Sequence, residues 1–374
     1  MENPLKAEAV AAGHITLDLF PGLENLPASA FSTPGRLFQV GGMEITAVGL
    51  VANTGLALHQ LGVGVRLLST VGDDLAGDLT RSYLRRFSPH LAEDIIVRPN
   101  TASSYTIVLT RPDIDRTFLH CTGPNDLFSV EDVDFSLVSG ARWFHFGYPS
   151  LLPGLFAGEG RALTAILRQA KAAGAVTSLD FTLPDPETPS GQAVWPLILR
   201  RALPEVDVFV PSLEEAVFLL RRPWYDAWAG AVSTHITRGQ MDEIAAEILA
   251  MGPAIAGVKL GAHGLILYGA GRTRLRALAA QIANCELWAD RCIEQPAFAV
   301  EVSGTTGAGD AAYAGLIAGL LRGLAPEMSA RLACAAGAAS VEGTNAISGL
   351  QPWAALLEHF QDWPTRPSGW LPQR

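Results

Sequence analysis

Apolar and polar positions along the chain alternate between a strand-like period of two and a helical period near 3.6. Residues 14–20, from His14 to Phe20, form an extended run that stops at Pro21-Gly22, which predicts a strand closed by a turn. Leu56, Ala57, Leu58 and Leu61 give residues 53–61 an apolar helical face, and 66–71 read as a strand entering a glycine-bearing turn. Residues 104–109 and 116–120 are two β-like runs around 111–115, the pattern of a hairpin. Trp143 to Gly147 is a short buried-type strand ended by Tyr148-Pro149. Helix 161–173, strand 176–180, helix 195–202 and strand 206–210 then alternate, as parallel strands joined by crossover helices do. A further strand, 254–259, turns through 260–264 into 265–268. Phe298, Val300 and Val302 alternate as in a strand. Beyond them Tyr313, Leu316, Ile317, Leu320 and Leu321 recur at helical spacing before the stop signals Gly323 and Pro326. An alanine-rich run over 328–341 predicts another helix. The chain therefore reads as α/β with a central, mostly parallel sheet.

Composition narrows the class. A chain of 374 residues that is 49% hydrophobic and 17% charged can bury a large core. Its formal charge of -10 argues against a general nucleic-acid or anionic-membrane surface. Cys121, Cys285, Cys292 and Cys334 form no C-x-x-C pair, no signal-peptide pattern opens the chain, and no apolar run approaches the ~18 residues of a membrane span. A cytoplasmic protein with buried thiols is the expectation. No repeat, charge block or linker divides the sequence, so residues 1–363 are expected to form one domain, with the proline-rich 364–374 as a surface tail.

Chemistry concentrates in Val302-Ser303-Gly304-Thr305-Thr306-Gly307-Ala308-Gly309-Asp310, a glycine loop that opens the helix ending near Leu321. Backbone N–H groups at a helix N-terminus suit an anion such as phosphate. A carboxylate beside such a site repels phosphate unless it works there, for instance by accepting a proton from an attacking hydroxyl. Complementing the helix dipole is the other reading of Asp310. A P-loop is disfavoured because Asp310 stands where Lys is required. A dinucleotide fingerprint is disfavoured because no second strand with a ribose-binding acid follows.

The stretch from Gly304 to Asp310 resembles the Asp-Thr-x-Gly-Ala-Gly-Asp signature of the ribokinase-like (pfkB) carbohydrate kinases, with Gly304 in place of the leading Asp. Residues 72–77 and the turn 259–264 are similar to further family segments, and the likeness runs over about 14–353. The resemblance implies a ribokinase-like three-layer sandwich with a small β lid, formed by residues near 17–45 and 101–121. It also implies transfer of a phosphoryl group from ATP, with Mg²⁺, to a hydroxymethyl group of a sugar or sugar-like acceptor, a nucleoside being the alternative and a weakly catalytic sensor a further one. In that reading Asp310 is the general base and Gly307, Ala308 and Gly309 form the anion hole. Asp18, Gly49, Asn53 and Arg116 would bind the acceptor. Lys259, Gly261, Gly264, Thr305 and Asn345 would bind the nucleotide, and Glu215 would hold a water on Mg²⁺. Departures from the family pattern fall at Val48, where a glycine pair is broken, and at Ser212, where the Asn of Asn-x-x-Glu is replaced. Plainer readings exist for several of these residues. Ser212 and Glu215 have capping-box spacing, Lys259 to Gly264 fits a tight hairpin turn, and His145, flanked by aromatics, fits a hydrogen-bonded core histidine. The lid implies an edge through which two copies could pair. No nucleic-acid or membrane partner is expected.

Overall fold

The computed structural model describes residues 7–111 and 114–367; within that span, side chains are described for all residues except 28, 31, 111 and 114–116. Thirteen strands among these residues form two sheets. In chain order they are β1 (Ala9–Gly13), β2 (Thr16–Pro21), β3 (Met43–Val48), β4 (Val65–Gly72), β5 (Ile95–Arg98), β6 (Tyr105–Arg111), β7 (Ile114–Cys121), β8 (Trp143–Gly147), β9 (Val176–Asp180), β10 (Val208–Phe209), β11 (Ile255–Lys259), β12 (Leu265–Gly269) and β13 (Cys292–Gln295). The large sheet has nine strands in the order β13-β12-β11-β10-β9-β8-β1-β4-β5. It is parallel from β5 through β11, and β12 and β13 add antiparallel pairs at one edge. The small sheet, β3-β2-β6-β7, is the lid.

The main helices are α1 (Leu50–Gln60), α2 (Leu75–Arg85), α3 (Pro153–Ala172), α4 (Trp195–Ala202), α5 (Leu213–Leu220), α6 (Arg238–Ala250), α7 (Ala308–Leu321) and α8 (Pro326–Glu342). Strand alternation sorts the core into two halves. Ala9, Ala11 and Trp143 face the half built with α1, α7 and α8, whereas Val10, Ala12, Phe144 and Phe146 face the half built with α3 to α6. Both faces of the sheet are thereby covered, which is why its strands read as apolar runs. The backbone of α3 is interrupted at Ala157, Gly158, Glu159 and Gly160, so the expected helix 161–173 is its second limb. No helix among the described residues is long and apolar enough to cross a membrane.

Two strand expectations need correction. The run 14–20 is not one strand of the main sheet: Ala9–Gly13 is the central strand and Thr16–Pro21 belongs to the lid, with only His14 and Ile15 between them. Alanines and a glycine carry too little periodic contrast to announce β1. Asp18 consequently lies within a lid strand. Residues 298–302 are not a strand either; the sheet ends at Gln295. Phe298 is buried beside Phe360 and Trp363 and pairs with Thr365, while Val302 is 56% exposed. The apparent alternation comes from a local aromatic cluster. Ala299 N–H donates to Pro364 O and Arg366 N–H to Ala297 O, so residues 364–366 are laced to the body.

Candidate active site

The glycine loop ends at Gly307, the N-cap of α7, in a left-handed conformation (φ 79°). A Cβ there would stand 2.2 Å from that of Ala346, so only glycine fits. Asp310 follows in the first turn and is 4% exposed. Its carboxylate is turned across to other elements. Asn53 Nδ2 and Thr54 Oγ1 of α1 donate to it at 3.0 Å each, and the Tyr148 hydroxyl donates at 2.8 and 2.7 Å to its two oxygens. Burial pushes the carboxyl above its ordinary range, while the Tyr148 bond, the Lys259 charge and the Asn53 and Thr54 bonds oppose that rise.

One side of Asp310 is rich in compensated charge. Lys259, at the end of β11, donates from Nζ to both oxygens of Asp180 at 2.8 and 2.9 Å, and Asp180 ends the parallel strand β9. A Cβ on Gly309 would lie 3.5 Å from that Nζ, so the ammonium sits against the anion loop. Burial raises the Asp180 carboxyl, and the Lys259 ammonium, itself held protonated by Asp180 and Glu215, pulls it back. Glu215 completes a capping box: Ser212 N–H donates to its Oε2 at 2.7 Å, and Ser212 Oγ accepts from Glu215 N–H at 3.2 Å. Asp180, Glu215, Lys259, Gly261, Gly264, Thr305 and Gly307 to Asp310 line one cavity of about 420 Å³. Its far wall is apolar, with Phe298, Val300, Cys334, Ala338 and Val341. Gly261 (φ 55°) and Gly264 (φ 104°) shape the turn, and a Cβ on Gly264 would meet Gln295 O of β13 at 2.0 Å, so the close approach of β13 demands that glycine. Asn345 does not line this cavity. Its Oδ1 accepts from the N–H groups of Ile347 and Ser348, and it borders a small recess with Val48 and Asn53.

The other side is the lid's. Asp18 is buried on β2 opposite Thr46 and Thr106, and burial pushes its carboxyl up to about 6 against a Thr106 hydrogen bond. Gly49 caps α1 with φ 92°, and a Cβ there would stand 2.6 Å from His14 Nδ1. Asn53 meets Asp310 directly. Arg116 belongs to β7, and its side chain lies outside the described residues. His145 is the core histidine its flanks suggest: Nδ1 pairs with Ser178 Oγ at 2.7 Å, and burial pushes its pKa down to about 3.

Sequence reasoning missed Asp180, Tyr148 and Thr54, which the structure brings to Asp310 and its cavity. Asp180 was legible, since it ends a predicted parallel strand. Tyr148 was not: it occupies the left-handed region (φ 57°, ψ 52°) between Gly147 and Pro149, and its N–H donates to Asp180 O while its hydroxyl reaches Asp310. Such a backbone in a bulky residue marks a position held by its surroundings.

Known proteins share the fold. Fructokinase-2 of Zea mays is 28% identical over 214 residues, covering 57% of this chain and 60% of that protein, so the chain spans about three fifths of this curated relative. The fructokinase of Xylella fastidiosa with bound ATP superposes with a TM-score of 0.71 at 20% identity, covering 96% of this chain and 99% of the other. The ribokinase of Arabidopsis thaliana complexed with ribose and ATP gives a TM-score of 0.68 at 20% identity, with 95% and 98% covered. At such identities the two structures establish the ribokinase-like fold, with its nine-stranded sheet and four-stranded lid. The model of the pfkB family of carbohydrate kinases matches residues 6–354, and the chain belongs to that family.

Proposed function

We propose that the protein transfers the γ-phosphoryl group of ATP to a hydroxymethyl group of a sugar or sugar-like acceptor. The observation that carries this reading is the position of Asp310, buried on the wall of a charge-lined cavity and bonded on its other side to Asn53, Thr54 and Tyr148. Asp310 accepts the proton of the acceptor hydroxyl, which takes over one carboxylate oxygen from Tyr148. A carboxyl raised by burial is better matched to that task than an exposed one. The N–H groups around Gly307, Ala308 and Gly309 stabilise the transferring charge; that of Ala308 makes only a long 3.4 Å bond to Thr305 O and is open to a better acceptor. Lys259 is the cation beside the loop, and Gly261 and Gly264 let the turn approach the nucleotide. Asp180 and Glu215 are hard oxygen donors on the cavity wall and suit Mg²⁺, which is held by one or two carboxylates together with phosphates. When bound, Mg²⁺ neutralises charge on the phosphates.

A coupled ADP-release assay with ATP and Mg²⁺ across pentoses, hexoses, sugar phosphates and nucleosides tests this. Acceptor-dependent ADP release and a phosphorylated product are expected. Acceptor binding by calorimetry without any ADP release would favour a sensor, a reading that draws on the Tyr148 hydroxyl occupying both oxygens of Asp310 and on the departures at Gly304, Val48 and Ser212. Exposed Met43, Tyr105 and Leu119 on the lid support pairing of two copies through that sheet, which sedimentation would reveal.

A further inference from the structure

Arg366 lines the cavity beside Asp310, although it lies beyond residue 354, where the match to the family ends. A short antiparallel pairing carries it there. Arg366 N–H donates to Ala297 O and Ala299 N–H to Pro364 O, each at 2.8 Å, on either side of the bridge between Phe298 and Thr365. Arg366 thus stands opposite Ala297, which lines the same cavity. Apolar packing anchors the segment: Phe298, 2% exposed, meets the rings of Phe360 and Trp363 at 5.9 and 5.6 Å. Ala297 in turn abuts the glycine turn, since a Cβ on Gly264 would lie 2.6 Å from Ala297 N. Arg366 therefore springs from the rim where the Gly261 to Gly264 turn meets the apolar wall.

Among the described residues that line this cavity, the basic side chains are Lys259 and Arg366, set against the carboxylates of Asp180, Glu214, Glu215 and Asp310. Lys259 is engaged by Asp180. Arg366 is exposed and makes no hydrogen bond or ion pair with any described residue. Its guanidinium, with five donors and no acceptor, is thus the unmatched half of a charge-assisted pair. The surplus of carboxylates disfavours any polyanion that enters, so a cation with no protein partner counts for more here than on an open surface. A phosphate chain is the anion that the planar fork of a guanidinium fits best, because two parallel N–H groups can meet two oxygens. A nucleotide with its base on the apolar wall and its phosphates at the glycine loop passes the turn between them, where Arg366 stands.

We propose that Arg366 binds the phosphate chain of the nucleotide, so that the C-terminal segment forms part of the nucleotide site together with the glycine loop and the Gly261 to Gly264 turn. This rests on the kinase reading above and deepens it. The test is titration calorimetry without acceptor, using ATP, ADP and adenosine on the wild type, Arg366→Ala, Arg366→Lys and Arg366→Glu. Arg366→Ala is expected to weaken ATP and ADP about tenfold, the effect of losing a charge-assisted hydrogen bond, and to leave adenosine unchanged. Arg366→Lys keeps the charge without the fork and should recover part of the loss, while Arg366→Glu should bind ATP more weakly than Arg366→Ala. Added salt should erode wild-type ATP affinity more steeply than that of Arg366→Ala. Tm should stay level in all three variants, because the side chain has no partner to lose. Wild-type ATP affinity in Arg366→Ala would overturn the proposal, and the kinase reading would still stand if acceptor-dependent ADP release persisted. Equal losses for ATP and adenosine would put the guanidinium on the base and overturn it as well. ATP binding that depends on Arg366 without any ADP release would support this assignment while removing the kinase reading, and a wild type that binds no ATP would overturn both.

Discussion

The two sides of Asp310 are built by different means. On the nucleotide side, charges are paired at short range: Lys259 with Asp180, Glu215 with the Ser212 backbone, and a contiguous glycine loop presenting N–H groups. On the side proposed for the acceptor the described groups include hydroxyls, an amide and an imidazole, with Asp18 a buried carboxylate of the lid, contributed by segments as far apart as Asn53, Thr106, His120 and Tyr148. A polyphosphate needs fixed compensating charge, which a short backbone motif and a few ends of parallel strands supply. A sugar is recognised by hydroxyl geometry, which only side chains brought together by the fold can provide.

The comparison breaks first at the residue shared by both sides. Asp310→Asn keeps the size and the helix start but removes the proton acceptor, so turnover should fall by about 10² to 10⁴ with ATP affinity intact. If Asp310 served only the helix dipole, calorimetry would instead show a loss of about 0.3 to 1 kcal/mol with turnover kept.

Next comes the compensated charge. Lys259→Met strands the buried Asp180 and should cost about 3 to 5 kcal/mol in denaturant unfolding. The double variant Lys259→Met/Asp180→Leu should regain most of it. Single and double variants of equal stability would show that the pair is not compensating.

The acceptor side is probed more gently by Asp18. Its folded pKa of about 6 lies above the ordinary 3.8, so the folded protein holds a proton that the unfolded chain has lost between those values. Stability should therefore fall as pH rises from about 4 to about 6 and level off above. Asp18→Asn should remove that fall and gain about 3 kcal/mol at pH 7, at the cost of acceptor affinity. A pH-independent difference between the two proteins would contradict the buried, raised carboxyl.

The smallest effect concerns Gly304, whose position faces the carbonyls of Gly343 and Thr344 at 3.3 and 3.4 Å from where a Cβ would be. The family resemblance implies that the leading Asp of the signature helps hold a monovalent cation; without that carboxylate, replacing sodium by potassium should change turnover little, and Gly304→Asp should introduce a potassium response. Strong potassium activation of the wild type would show that carbonyls alone suffice.

Much of the nucleotide side was legible because its signals are local. The period over 313–321 predicts α7, which is buried along most of its length, and Gly307 is a glycine for a reason that both motif and coordinates give. Asp180 was available from the rule that ligands gather at strand ends. The acceptor side resisted because its members have no common spacing. Thr54 gains meaning only from α1 packing against α7, and Tyr148 only from a left-handed backbone that no letter encodes. The same limit explains the two strand errors: Ala9–Gly13 has no contrast to read, and the alternation at 298–302 is borrowed from the packing of Phe298 on the C-terminal segment.

The two-residue splice between β1 and β2 gives the lid an unusual kind of attachment. A flap on a slack linker opens without the body noticing. Here the Ile15 carbonyl accepts from Asn125 Nδ2 at 2.9 Å, and the His14 amide is bonded to Gly147, the residue that precedes Tyr148. Displacing β2 therefore pulls on the strand end that carries the clasp on Asp310. On the kinase reading proposed above, loading of the acceptor and release of the base from its clasp would be coupled through that strand end.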